Sequence, residues 1–218
     1  MSFFCPIPAT DIYRHHCLRN KEKHRCLILL GTGLSTERKF IMATEKNQNI
    51  KRTTYWLCIT AVFMALNVAM SSFGVPVPGG HLYMNDIIIC TAAIILDPIA
   101  AFMVGGVGAF LGDLFFYPLP MFVSLVTHGL QAVVISIFSH YILKKHPVLS
   151  SGIGVTIGAV IMVVGYSLGR AFIYSTPEYA VLKLPYQILQ AGVGAIFGMI
   201  LCWKCKLVEL FNKKGLLR

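Results

Sequence analysis

Between residues 53 and 205 the apolar positions run on in long stretches instead of alternating. Short polar or Pro/Gly-containing segments interrupt them. A helix that crosses a bilayer needs about 20 apolar residues, and the pattern predicts six. Span 1 is Thr53–Phe73, ended by Gly74-Val-Pro-Val-Pro-Gly-Gly80, which breaks any helix. Span 2, about Tyr83–Leu96, is short. Asp97-Pro98 then reads as an N-cap followed by Pro at the first helical position, opening span 3, Pro98–Phe116. Span 4 is Leu119–Leu143, span 5 Val148–Tyr174 and span 6 Tyr179–Cys205. Unbroken apolar runs fit helices, not the ten-residue alternation of a membrane barrel. The expected fold is therefore an all-α integral membrane protein of six transmembrane helices, residues 53–206.

Composition agrees. Of 218 residues, 56% are hydrophobic and 13% charged, against about 25% charged in soluble domains. A soluble globule and a disordered chain are both excluded. The net charge of +10 resembles a nucleic-acid signal, but in an apolar chain excess Lys and Arg marks cytoplasmic loops. Six spans put both termini on one side, together with Lys46, Lys51, Arg52, Lys144, Lys145, Lys204, Lys206, Lys213, Lys214 and Arg218. Those are ten of the twelve positive residues after position 41. Both termini are thus expected in the cytoplasm of a bacterial cell (plasma) membrane. Residues 42–52 form a cytoplasmic N-terminal segment and 207–218 a basic cytoplasmic tail. Residues 1–41 are polar and basic, and Met42 offers a second start after Glu37-Arg38-Lys39, whose codons can be purine-rich. Residues 1–41 are read either as a leader outside the true protein or as a disordered tail.

The few polar groups inside the spans cluster by depth. Asn67, Asn85, Asp86, Asp113, His128, Gln131, Tyr166, Arg170, Tyr174, Tyr186, Gln187 and Gln190 fall in the outer halves, and the inner halves are almost free of them. Buried polar groups in a membrane face a partner or a cavity. Each residue has a plain alternative. Asp113 and Arg170 can pair, Asn85 and Asp86 can cap span 2, His128 can pack, and Gln187 and Gln190 can join helices. Tyr83, Phe116, Tyr117, Tyr174 and Tyr179 suit an interfacial belt or a wall for a flat heterocycle. The joint one-sided pattern points to a polar pocket open to the outside. Cys202-Trp-Lys-Cys205 reads as a pair of boundary cysteines more readily than as a redox or zinc motif. No resident cofactor or metal is expected.

Small residues recur at helical spacing: Ala61, Ala65 and Ala69 on span 1, Gly108 and Gly112 on span 3, Gly165 and Gly169 on span 5, Gly194 and Gly198 on span 6. Such stripes let helices approach closely, inside the protein or against another one.

From Tyr55 to Lys206 the chain resembles the substrate-binding S components of energy-coupling factor (ECF) vitamin transporters. The stretch from His81-Leu-Tyr-Met-Asn-Asp-Ile-Ile-Ile through Asp97-Pro-Ile-Ala-Ala-Phe-Met-Val-Gly-Gly-Val-Gly-Ala-Phe-Leu-Gly-Asp113-Leu carries the resemblance, with Ala61-x-x-x-Ala65 beside it. Relatives often have Gly-Asp where this chain has Asn85-Asp86. The resemblance implies capture of a vitamin or precursor at the outer face, with energy from a transmembrane coupling subunit and two ATPase subunits. It implies a lid over Gly79–Tyr83, ligand contacts from His81, Tyr83, Asn85, Asp86, His128, Gln131, Arg170, Gln187 and Gln190, and docking of the coupling subunit on Ala61, Ala65 and Ala69. The nearest subfamily is the hydroxymethylpyrimidine or vitamin B6 type; riboflavin, thiamin, folate and a queuosine precursor stay open. The chain has no GxxxxGK[ST] phosphate loop, so ATP hydrolysis belongs to partners. A proton-coupled secondary transporter using Asp113, Arg170 and His128 is the competing reading. A small membrane enzyme with His128 and Asp113 as acid and base lacks a recognisable nucleophile.

Overall fold

The computed structural model describes residues 52–213, except 79 and 144. The leader reading of residues 1–41, the segment 42–51 and residues 214–218 lie outside the described residues. Helix α1 is Arg52–Ser71. The Pro/Gly segment after it folds into an antiparallel hairpin of β1 (Val75–Val77) and β2 (Gly80–Leu82), with Pro76 opposite His81. Then come α2 (Asn85–Ile95), α3 (Pro98–Phe116), α4 (Met121–Tyr141), α5 (Pro147–Tyr174), α6 (Pro177–Lys204) and α7 (Leu207–Lys213). Pro occupies an opening position of α3, α5 and α6, where its missing N–H costs nothing.

Five of these helices, α1, α3, α4, α5 and α6, are long and apolar enough to cross a membrane. Helix α2 is not: its 11 residues rise only about 16 Å. It lies at the centre of the bundle instead, with nine of its residues buried. Span 2 therefore starts two residues later than expected. Tyr83 belongs to the link from the hairpin, where its backbone N–H is held by the Gln190 side chain. The fold is helical with one added hairpin, and residues 207–213 of the expected tail are helical. Leu207, Val208 and Phe211 pack on the core, and the Phe211 ring lies 6.3 Å from that of Phe63.

Burial is inverted relative to a soluble protein. Large apolar side chains such as Phe115, Phe172, Ile173 and Val181 face outward, as a lipid surface requires. The apolar core holds Ile89, Ala92, Ala93, Ile95, Ala101, Val104, Ala132 and Ile135, drawn from α2, α3 and α4.

Glycine pairs set the helix contacts. Gly108 and Gly112 of α3 meet Asn67 and Ser71 of α1; Gly165 and Gly169 of α5 meet Thr127 and Val123 of α4; Gly194 and Gly198 of α6 meet Asp86 and Cys90 of α2. Ala61, Ala65 and Ala69 take no part in this and are exposed. Asp97 does sit at the N-cap position of α3, but its side chain makes no cap. It accepts a hydrogen bond from the Trp56 indole, tying α1 to the end of the bundle where α2 stops. Three single π-type turns interrupt the long helices, at Met103–Val107, Arg170–Tyr174 and Ile200–Lys204. The Asn67 amide donates to the carbonyl of Val104, inside the first of them, at 2.6 Å.

Candidate functional site

One end of the bundle gathers the hairpin, the first turns of α2, α4 and α6 and the last turns of α3 and α5. A cavity of about 350 Å³ opens there, inside the usual ligand-pocket range of about 300–1,000 Å³. Its wall includes His81, Tyr83, Asn85, His128, Arg170, Gln187 and Gln190 among the residues singled out from sequence. Asp86 and Gln131 are buried just behind that wall. The geometry explains the division. Asp86 Oδ2 accepts from Gln190 Nε2 at 2.6 Å, and its Oδ1 accepts from Gln131 Nε2 at 3.4 Å. Gln190 Oε1 in turn accepts the Tyr83 backbone N–H at 3.2 Å. Asp86 thus orients the groups that reach the cavity. The capping role does not hold: the N-cap position of α2 is Met84, and no side chain caps it.

His128 is the next link. Its Nδ1 lies 2.8 Å from Gln131 Oε1 and 3.6 Å from Asp86 Oδ1. Both are acceptors, so Nδ1 carries a proton and faces them. The ring meets Tyr166 edge-on, with centroids 5.2 Å apart. Ser124 donates to Asp113 Oδ2 and shares a hydrogen bond with the Tyr166 hydroxyl. Since Ser124 has one proton to give, Tyr166 must be the donor in that second bond, and its lone pairs are free for another donor.

Asp113 and Arg170 do not pair. The guanidinium donates to Gln187 Oε1 at 3.4 Å and lies over the Tyr174 ring, 5.6 Å from its centroid. The π-type turn that Arg170 opens brings both residues to the cavity. Lys183 donates to the His81 carbonyl, fastening the hairpin to α6. The Asn85 Oδ1 and His81 Nδ1 atoms are buried without a protein partner, although both residues line the cavity. Buried polar atoms ordinarily have partners, so these two are open to a polar ligand.

Tyr83, Tyr117, Tyr166, Tyr174 and Tyr179 supply aromatic wall, while Phe116 stays outward and exposed. Burial, then the nearby Asp113 and Tyr117, push the Tyr83 phenol up to about 12, so it is a neutral donor at physiological pH. Sequence reading placed Asp113, Tyr166 and Lys183 near this face without choosing them as ligand contacts. Asp113 had a plainer reading as the ion-pair partner of Arg170; Tyr166 was one outer-half polar group among many, and Lys183 one of the two positive residues after position 41 on the outer side. The Cys202 thiol donates to the Thr91 carbonyl at 3.7 Å and Cys205 is exposed, both free thiols.

A multi-pass helical membrane protein with a polar, tyrosine-walled cavity at one end of its bundle belongs to the class that captures small solutes. Residues 51–207 match the family model described as ECF-type riboflavin transporter, S component. The chain belongs to that family, and so to a transporter subunit. It is also 31% identical over 136 residues to an uncharacterized protein (gap 3′ region) of Pyrococcus woesei, covering 62% of this chain and 89% of that protein.

Proposed function

We propose that this chain is the high-affinity capture subunit for a vitamin or vitamin precursor with a small aromatic heterocycle, imported with energy from a separate coupling subunit and two ATPase subunits. The observation that carries the reading is the cavity itself. It combines flat tyrosine walls with oriented polar groups at His128, Gln187 and Gln190 and unpartnered atoms on Asn85 and His81. Such a lining suits a planar ring bearing donors and acceptors at its edge. Riboflavin enters through the family's description; the single-ring hydroxymethylpyrimidine and pyridoxine fit the same chemistry.

In this reading α2 makes the sixth segment, covered at the outer face by the hairpin, and the cavity faces outward. Arg52, Lys145, Lys204 and Lys206 lie at helix ends opposite the cavity, which under the positive-inside rule supports cytoplasmic termini. The hairpin, pinned by Lys183 and Gln190, is the lid. The exposed Ala61, Ala65 and Ala69 form the docking face for the coupling subunit. Native mass spectrometry of the purified full chain tests the capture reading. A co-purified vitamin-sized heterocycle supports it. Clean protein from rich medium, with no binding of riboflavin, pyridoxine or hydroxymethylpyrimidine on titration, overturns it. Uptake by this chain without partners, dependent on a proton gradient, would favour the secondary-transporter reading.

A further inference from the structure

The cavity wall holds two cations whose charge the capture reading leaves unanswered. Arg170 is 7% exposed and Lys183 5% exposed, and both line the cavity from adjacent helices, α5 and α6. Among the described residues neither has a carboxylate within 4 Å; the pairs at that distance are His128 with Asp86 and Lys206 with Glu209. The nearby acids are engaged elsewhere. Asp86 takes Gln190 and Gln131, and Asp113 takes Ser124. Both cations face one buried cavity, so the fold places like charges around a single space of low dielectric. Unpaired charge in such a place is costly.

Their hydrogen bonding is equally unspent. The guanidinium has five N–H donors, and the structure uses one, in a long 3.4 Å bond to Gln187. The ammonium has three, and one goes to the His81 carbonyl. Spare donors from a planar fork and a point charge, converging on one cavity, make the arrangement that recognises a carboxylate or a phosphate.

We propose that the ligand of this cavity carries an anionic group, carboxylate or phosphate, seated between Arg170 and Lys183. This rests on the capture reading and narrows it: the heterocycle is an acid or a phosphate ester rather than a neutral ring. The anion also reaches the lid, because Lys183 is bonded to the hairpin at His81. Bound anion and closed hairpin therefore share one side chain.

The test is calorimetric titration of the full chain in nanodiscs with matched pairs that differ in the anion: nicotinamide and nicotinate, pyridoxine and pyridoxine 5′-phosphate, riboflavin and flavin mononucleotide. In at least one pair the anionic member should bind ten-fold or more tightly. The first pair reports a carboxylate preference and the other two a phosphate preference. Arg170→Gln and Lys183→Gln should each bring the ratio within that pair toward one, while Arg170→Lys keeps part of it. A ratio within one variant does not depend on how much of that variant is folded. Equal or tighter binding of the neutral member in every pair that binds overturns the inference, as does a ratio unchanged in both Gln variants. Recovery of a neutral co-purified ligand overturns it while upholding capture; binding of none of the six probes or of hydroxymethylpyrimidine, with no ligand co-purified, overturns both.

Discussion

At the scale of single residues, the site is organised by a carboxylate that does not line the cavity. Asp86 holds Gln190 and Gln131, and through Gln131 it orients the His128 ring. Asp86→Ala should strand two buried amides and cost on the order of 3 kcal/mol. Thermal unfolding in detergent should register that loss, and binding should weaken although the substituted residue sits behind the wall. Tyr83 gives a pH-dependent expectation with a definite sign. Its phenol is held up at about 12 against an ordinary 10.0. Below the lower value it is neutral in folded and unfolded chains alike, and its contribution is intact. As pH rises from the lower value through the upper one the unfolded chain ionises first, and that contribution is lost. Stability followed over this alkaline window should fall more steeply in the native chain than in Tyr83→Phe.

At the scale of elements, contact is decided by where a side chain is missing. A methyl group at Gly194 would sit 2.5 Å from the Asp86 Cβ, whereas one at Gly192 meets nothing within 4 Å. Gly194→Ala should therefore destabilise by about 1–3 kcal/mol through overpacking. Gly192→Ala should be neutral or gain up to about 1 kcal/mol of helix propensity. Melting temperatures of the two variants, two residues apart on one helix, check the assignment. The same contacts mark what a sequence can tell. Four of the five long helices, α3 to α6, ran within two residues of their expected starts because Pro, Asp and charge punctuate them. Helix α2 was harder to read: its apolar run continues back into an extended hairpin, and periodicity does not register a backbone N–H captured by Gln190, 107 positions away. Small-residue stripes were visible on four helices, but only packing separates those that meet a neighbour from the one on α1 that does not.

At the scale of the molecule, polar side chains concentrate at one end of the bundle and cationic helix ends at the other. Depth counting along single helices found the first because every group that lines the cavity lies within a few turns of a helix end. It missed the commitments among them. Asp113 and Arg170, equidistant candidates for a pair by sequence, are drawn apart by Ser124 and Gln187. Helix α1 is the least enclosed of the long helices, with 17% of its span window buried. Its Ala61, Ala65 and Ala69 face outward. Ala61→Leu or Ala65→Leu should leave melting temperature and ligand affinity unchanged while abolishing uptake in cells that supply the partner subunits. Loss of affinity together with uptake would assign the stripe to internal packing.

The π-type turn at Met103–Val107 makes the length of α3 a functional quantity. Each residue advances a helix by about 100°. The π-type turn holds one residue more than an α-turn, so losing one there changes the phase little, but deleting one between it and Gly112 would swing everything beyond by roughly that angle. Gly112 would leave Ser71, and Asp113 would leave Ser124 for the place of Gly112 against α1. The spacing between Asp97 and Asp113 is thus a setting of angle as much as of depth. An alignment gap outside that turn, harmless-looking by length, would unmake one wall of the cavity.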